Sequence, residues 1–289
     1  MPNFLLIGTQ KGGTTSLYSY LKQHPQVYMS PLKEPLYFMT SGMDDAPSST
    51  VNDLNTYKKL FEGVTNEKAI GEASTTYLAC PWTPKLIKET IPDVKMIAVL
   101  RNPVDRAWSH YLMHAAKGHP MFSADFAKAI QETKVYRRAG ETWKFGYISM
   151  GMYYEQLQRY YSIFEREQIK IIFYQDILDD IQGVLRSIFS FLGIDNSFIT
   201  DTSQRKNVSQ VTRSTKLDRI IYGQGRLKKA ITPFIPNSMK SIVKERMRKL
   251  NKHKPTLPSQ QKNYLIETYR EEIVKLQDFV NRDLSSWLH

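Results

Sequence analysis

The chain of 289 residues has a single cysteine, Cys80. No intrachain disulfide and no cysteine-built metal cluster can form, which excludes a disulfide scaffold and favours a reducing compartment. Cys80 itself reads as a small apolar core residue. Long apolar runs are also missing: no stretch reaches 18 residues, and the opening "MPNFLLIG" lacks a basic segment ahead of an extended hydrophobic one. Neither a membrane-spanning helix nor a signal peptide is therefore expected. Acidic residues run out between Arg205 and Lys254, where Asp218 and Glu245 are the only two among many lysines and arginines. No repeat or low-complexity tract occurs.

What is present describes a folded protein. With 41% hydrophobic and 24% charged residues the chain can bury a core, and its length suits one large α/β domain. Forty basic against 28 acidic side chains leave a net charge of +12, a surface that attracts nucleotides, sulfated or phosphorylated glycans, nucleic acid or anionic lipid. Charge alone does not choose among them.

Apolar segments of strand length alternate with helical patterns. Phe4 to Ile7, residues 27 to 29, "AIGEAS" from Ala69, "VKMIAVLR" from 94 to 101 and "IKIIFY" from 169 to 174 read as strands. Helices are expected over 14–22, 55–61, 83–91, 151–166, 178–192 (ended by Gly193) and 259–281, and after Asn102, a plausible cap ahead of Pro103. Continuous apolar strands joined by helices predict a P-loop-like parallel sheet wound by right-handed crossovers. We expect one domain over residues 1–289, in which the basic region from 205 onward forms a helical C-terminal subdomain or lid.

Between the first strand and its helix lies Gly8-Thr9-Gln10-Lys11-Gly12-Gly13-Thr14-Thr15. A glycine-rich loop there offers backbone N–H groups and the positive helix end to an anion. In the nucleoside triphosphatase loop, lysine directly precedes the Ser or Thr that holds Mg²⁺; here glycine precedes Thr14 and lysine stands earlier. The strand "VKMIAVL" ends in Arg101, where phosphoryl transfer needs a metal-binding carboxylate. A guanidinium repels Mg²⁺ and attracts another phosphate. Only Asp176, after the last strand, keeps a metal site open. The loop and the arginine together describe a metal-free site for a nucleotide with two separated anionic groups.

These residues resemble the sulfotransferases that use 3′-phosphoadenosine 5′-phosphosulfate. "GTQKGGTTSL", residues 8 to 17, fits the family's G-x-x-K-x-G-T-T-x-L loop, and "RNPVDRAWSHY", residues 101 to 111, its R-[DN]-P-x-x-R-A-x-S-x-Y signature. "KEPLYF" from 33 to 38, with "GEASTTYL", "GMYYEQL" and "RKNVS", resembles the carbohydrate-modifying, heparan-sulfate-type branch. The absence of a span and of a disulfide points to a soluble, bacterial-like, cytoplasmic member of that branch.

The resemblance implies the sulfotransferase fold and sulfuryl transfer to a hydroxyl or amine of a carbohydrate or small-molecule acceptor by metal-free in-line displacement. It assigns Lys11 to the bridging oxygen that leaves, with Gly12, Gly13, Thr14, Thr15 and Ser16 as donors to the 5′-phosphosulfate. Arg101 and Ser109 take the 3′-phosphate, and Lys206 and Ser209 reach the adenine or that phosphate. An attacking hydroxyl must lose a proton, which a carboxylate in a partly desolvated site can accept; Glu34 is the candidate, and a histidine the next. Lys33, Tyr77, Tyr153 and Tyr154 are candidates for acceptor contact. Arg106 reads equally as a site residue and as an ion-pair partner of Asp105 or Asp125.

His110 and His114 have the spacing of a helical metal pair, but Tyr111 stands where a zinc protease carries Glu, so no metal is expected. His24 and the tryptophans Trp82 and Trp108 read as packing residues. Two rival readings use the same features: a P-loop nucleotide kinase or triphosphatase, weakened by the misplaced lysine, and a basic nucleic-acid or membrane binder resting on residues 205 to 254. No nucleic-acid motif accompanies that stretch, so a nucleic-acid partner is not expected, while peripheral membrane contact through it stays open.

Overall fold

The computed structural model describes residues 1–43, 46–117, 125–131, 133–138, 141–203, 211–212, 252–253 and 255–289. Lys206, Ser209 and nearly all of the expected basic lid lie outside these residues. Five strands form one parallel sheet: β1 (Phe4–Gly8), β2 (Val27–Met29), β3 (Ala69–Ala73), β4 (Lys95–Leu100) and β5 (Ile169–Phe173), in spatial order β2-β3-β1-β4-β5. The α/β class with helices on both faces is as the apolar runs predict.

Alternation along each strand explains the two layers. Leu5 and Ile7 of β1 with Met96, Ala98 and Leu100 of β4 enter one core, while Phe4, Leu6, Ile97 and Val99 enter the other. Register keeps like with like: Leu5 faces Met96 and Leu6 faces Ile97. Helix α1 (Thr14–Leu21) and the helix Ile181–Leu192 cover the second face through Leu17, Leu21, Leu185 and Ile188. The first is covered by the helix Pro103–Lys117, by Tyr153–Tyr161 and by the C-terminal helix Ser259–Val280, whose Leu265, Tyr269, Ile273 and Leu276 point inward. Each such side chain contributes roughly 1.5–3 kcal/mol when fully buried.

Local chemistry sets the ends of these elements. Asn102 caps the helix that begins at Pro103, its Oδ1 accepting from the Val104 amide at 2.9 Å. Gly193 closes the helix Ile181–Leu192 with φ 74. Three expectations need correction. The helix expected over 151–166 spans Tyr153–Tyr161, because Met152 is non-helical (ψ 70) and Glu165 starts a separate 3₁₀ turn, Arg166–Gln168. The helix expected over 178–192 is two, Tyr174–Asp179 and Ile181–Leu192, since Asp180 leaves helical geometry to accept from the Gly183 amide at 2.8 Å. An antiparallel hairpin, Thr133–Arg138 with Glu141–Gly146, was not expected.

The strand order reverses around β1: the chain moves to β2 and β3 on one side and to β4 and β5 on the other. Crossovers on opposite sides leave a crevice at the carboxyl ends of the central strands. The segments leaving β1, β3, β4 and β5 all emerge there.

Candidate active site

Four strand ends line a cavity of about 620 Å³. From β1 comes the loop Thr9–Gly13, from β3 Thr75 and Thr76, from β4 Arg101 and from β5 Tyr174; Ser109 joins from the helix after Arg101, and Lys33 and Glu34 from the segment after β2.

The glycine loop has the geometry that its composition allows. Gly13 has φ 86 and serves as the N-cap of α1, a left-handed turn that favours glycine. Gly12 is buried: a Cβ there would sit 3.0 Å from the Thr9 carbonyl and 3.2 Å from that of Val99, so the backbones approach too closely for a side chain. Thr14, Thr15 and Ser16 form the first turn of α1, where the helix dipole is positive; the Ser16 amide already donates to the Gly13 carbonyl at 3.0 Å. Lys11 is itself left-handed, with φ 70.

Arg101 is tied to this loop. Its Nη1 donates to the Lys11 carbonyl at 2.8 Å, and its guanidinium lies 4.7 Å from the Tyr174 ring centroid, a stacking worth about 0.5–2 kcal/mol. Its Nε is buried with no hydrogen-bond partner, which makes Arg101 an incompletely satisfied cation beside a positive loop. The guanidinium also lines the cavity, where its charge suits an anionic group.

At the other end stands the carboxylate. Glu34 Oε1 accepts from Lys33 Nζ at 2.6 Å and from the Thr75 hydroxyl at 3.0 Å, and Oε2 accepts from the Thr75 amide at 2.9 Å. The Glu34 amide donates to the Ala73 carbonyl at 2.9 Å. Glu34 and Leu36 both have left-handed backbones, with φ 63 and 58, and such conformations cost on the order of 1–3 kcal/mol each unless the surroundings impose them. A carboxylate carries several lone pairs, so Glu34 keeps acceptor capacity toward the cavity, where its side chain is 32% exposed.

The structure thus brings together Lys11, Gly13, Thr14, Thr15, Ser16, Lys33, Glu34, Arg101 and Ser109, with Gly12 immediately behind them. It moves the three tyrosines proposed for acceptor contact away from the cavity. Tyr77 is fully buried, and its hydroxyl accepts from the Phe38 amide. Tyr153 is buried behind Arg101, its hydroxyl turned toward Thr9 and the Arg101 backbone. Tyr154 lies against Phe279 of the C-terminal helix, and its hydroxyl accepts from Gln158 at 2.7 Å. Helical spacing marks Tyr153 and Tyr154 mainly as packing residues, and that is the role they take here.

Other side chains resolve similarly. Arg106, fully buried, donates to the Tyr147 carbonyl and lies 3.3 Å from His110 Nδ1; of its two equal readings, site residue and ion-pair partner of Asp105 or Asp125, this core contact matches neither. Asp176 receives both terminal nitrogens of Arg282 at 2.7 and 2.6 Å, so the one carboxylate that kept a metal site open is held by a guanidinium. Among the described residues no group of three or more His, Cys, Asp or Glu side chains is placed to hold a metal ion. His24 bridges the Asp195 carbonyl at 2.8 Å and the Gln26 amide at 3.0 Å, and Trp108 donates to the Pro255 carbonyl at 3.0 Å, both as packing residues.

The sequence alone did not single out Tyr174 or Thr75. Both follow parallel strands as Arg101 follows β4, and the rule that such strand ends converge at one crevice is the signal that would have found them.

Known proteins resemble this chain in sequence and fold. The membrane-associated sulfotransferase kil1 of Dictyostelium discoideum is 27% identical over 276 residues, covering 68% of this chain and 57% of that protein. The human bifunctional heparan sulfate N-deacetylase/N-sulfotransferase 2 is 29% identical over 197 residues, covering 67% of this chain and 22% of that one. The chain thus spans about half or less of the length of these relatives. Among solved structures, a sulfotransferase from Alicyclobacillus acidocaldarius superposes with a TM-score of 0.72 at 27% identity, over 100% of this chain and 99% of that one. Mouse SULT7A1 complexed with PAP shares the fold, with a TM-score of 0.51 at 15% identity over 94% of this chain and 84% of that one. The sulfotransferase domain model matches residues 1–279, and the chain belongs to the sulfotransferase domain family.

Proposed function

We propose that this protein transfers a sulfuryl group from 3′-phosphoadenosine 5′-phosphosulfate to a hydroxyl or amine of a carbohydrate or related small molecule. The observation that carries this reading is the convergence, on one cavity, of a left-handed glycine loop with Lys11, a partly unsatisfied Arg101 and the carboxylate of Glu34. The residues suit the donor nucleotide: the turn offers the amides of Gly13, Thr14 and Thr15 and the hydroxyls of Thr14, Thr15 and Ser16 to one anionic group, and Arg101 with Ser109 offers a guanidinium and a hydroxyl to a second.

The nucleotide supplies an activated sulfuryl group whose transfer leaves negative charge on a phosphate oxygen. Lys11 and the amides at the start of α1 are preorganised cationic and dipolar partners for that charge, so their effect grows as the charge develops. Glu34, fixed by Thr75, accepts the proton that the attacking group must lose. Lys33 pairs with Glu34 and keeps two anions, this carboxylate and an incoming sulfuryl group, from facing each other without a counter-charge. Holding both reactants in one cavity contributes by orientation. A carbohydrate acceptor is supported by the "KEPLYF" segment and by the carbohydrate sulfotransferases among the relatives. No helix among the described residues is long and apolar enough to cross a membrane. A cytoplasmic location is part of this proposal and rests on the single cysteine, Cys80, which excludes an intrachain disulfide.

Isothermal titration tests the donor reading. Adenosine 3′,5′-bisphosphate should bind with equal affinity in Mg²⁺ and in chelator, and Mg-ATP should bind far more weakly. Binding of Mg-ATP in preference to the bisphosphate would return the site to the kinase class.

A further inference from the structure

Glu72 lies on β3 beneath the site, completely buried, and the transfer chemistry above does not use it. Its Oε1 accepts from the Tyr57 hydroxyl at 3.2 Å, while Oε2 has no hydrogen-bond partner. The hydroxyls of Ser74 and Tyr77 face the same carboxyl. Both are engaged on their acceptor side: Ser74 Oγ accepts from the Leu36 amide at 3.1 Å, and the Tyr77 hydroxyl from the Phe38 amide at 3.2 Å. A hydroxyl that accepts from an amide still has its own proton to donate, and both hydroxyls lie beside the Glu72 carboxyl.

Leu36 and Phe38 belong to the segment that carries Glu34. That segment holds two left-handed residues, Glu34 and Leu36, a conformation that persists only when its surroundings over-determine it. Three successive residues after Glu72 grip it: the Ala73 carbonyl takes the Glu34 amide, Ser74 takes the Leu36 amide, and Thr75 takes the Glu34 carboxylate. Glu72 is the buried anchor behind this row.

We propose that Glu72 is a positioning residue for the base: by orienting the hydroxyls of Ser74 and Tyr77 it holds the strained Glu34–Phe38 segment, and so fixes how the Glu34 carboxylate faces the cavity. This rests on the reading of Glu34 as the base. The titratable groups around the carboxyl are Tyr57 from the helix Leu54–Lys59, Tyr77 from the turn after β3, Tyr160 from the helix Tyr153–Tyr161 and Glu34 itself. Burial, with a smaller contribution from the Glu34 charge, raises Glu72 to about 7. Above that pH the carboxylate only accepts, so it can take both hydroxyl protons although its buried charge costs the fold stability; once protonated it becomes a donor among donors and one hydroxyl must turn away.

Hydrogen–deuterium exchange on wild type, Glu72→Gln and Ser74→Ala reads the clamp without turnover. At about pH 8, Glu72→Gln should exchange roughly tenfold faster over residues 33–40, with β1 and β4 unchanged and affinity for adenosine 3′,5′-bisphosphate within about twofold. At about pH 5.5 the difference between wild type and Glu72→Gln should largely vanish, a dependence that a generic packing defect would lack. If Glu72→Gln fails to fold, wild type alone decides: intrinsic-rate-corrected exchange over residues 33–40 should differ between about pH 5.5 and pH 8 while β1 and β4 do not, and Ser74→Ala, which removes the acceptor of the Leu36 amide, should abolish that difference; a wild-type segment with no such difference would overturn the proposal. Unchanged exchange over 33–40, or loosening that spreads evenly to β1 and β4, would overturn the proposal. Turnover of Glu34→Gln judges the base reading separately, so the two can fail independently.

Discussion

Arg101 donates from Nη1 to the carbonyl of Lys11 at 2.8 Å, with the ring of Tyr174 against its guanidinium. The side chain that ends β4 thereby props the backbone of the loop that ends β1. Two cations from distant parts of the sequence are held as one unit, which a pair of independent surface charges could not achieve at this cost in entropy. The lysine loop and the arginine should accordingly respond to mutation together.

Arg101→Lys keeps the charge but loses both the strut to Lys11 and the planar stack on Tyr174. Affinity for adenosine 3′,5′-bisphosphate should fall by about 1.5–3 kcal/mol, the scale of a hydrogen bond to a charged group. Titration calorimetry measures it, and unchanged affinity would remove Arg101 from the anion site.

Lys11→Ala should lower kcat/KM by roughly 3 kcal/mol or more, because the lost charge acts most on the developing anion. The assay is transfer to whichever acceptor a metabolite screen identifies, read as the mass gain of SO₃. Near-normal turnover would place the leaving-group cation elsewhere.

Glu34→Gln is nearly isosteric and should leave bisphosphate binding intact while slowing transfer by about 10²–10⁴-fold, the usual contribution of a general base. Retained activity at neutral pH would point to another proton acceptor, a histidine being the next to test.

Gly13→Ala puts a Cβ on a residue with φ 86 and 3.0 Å from the Tyr174 ring. The backbone penalty alone is about 1–2 kcal/mol, so thermal unfolding should begin earlier and nucleotide affinity should drop. Tyr174→Leu in the same background should relieve the contact but not the backbone strain; full recovery of stability would show that crowding alone mattered.

Glu72 gives the fold a pH signature. Its carboxyl is raised from the ordinary 4.5 to about 7 by burial, so between those values the folded chain binds more protons than the unfolded one. Stability contributed by this group therefore falls as pH rises across that window and levels off above it, by about 3 kcal/mol in all. Denaturant unfolding of wild type and Glu72→Gln at about pH 5 and pH 8 isolates it: the variant should gain on wild type as pH rises, and a constant difference would show that Glu72 titrates normally.

The loop Gly8–Thr15, the helix start at Asn102–Pro103 and the parallel strands were legible because each rests on local chemistry: glycines at a tight turn, a cap ahead of proline, apolar runs too long for a half-exposed strand. The roles of Tyr77, Tyr153 and Asp176 rest on contacts far away in sequence. Nothing near Tyr77 or Tyr153 reveals that their hydroxyls face Phe38 or the back of Arg101, and only Arg282, 106 residues on, takes Asp176 away from a metal. The break at Asp180 depended on whether its carboxylate or the helix would claim the Gly183 amide, a competition that propensity does not decide.

By itself, then, the sequence determined the sheet and the anion-binding turn, since these follow from what a few neighbouring residues can adopt; it offered Lys11 and Arg101 as cations for an anion, and Glu34 as a candidate base only through the family resemblance. Tertiary structure alone decided that Arg101 braces Lys11, that Thr75 aims Glu34 and that Glu72 lies beneath them. The reason is physical: those contacts join the ends of separate parallel strands, and only the order of strands in the folded sheet puts the ends side by side.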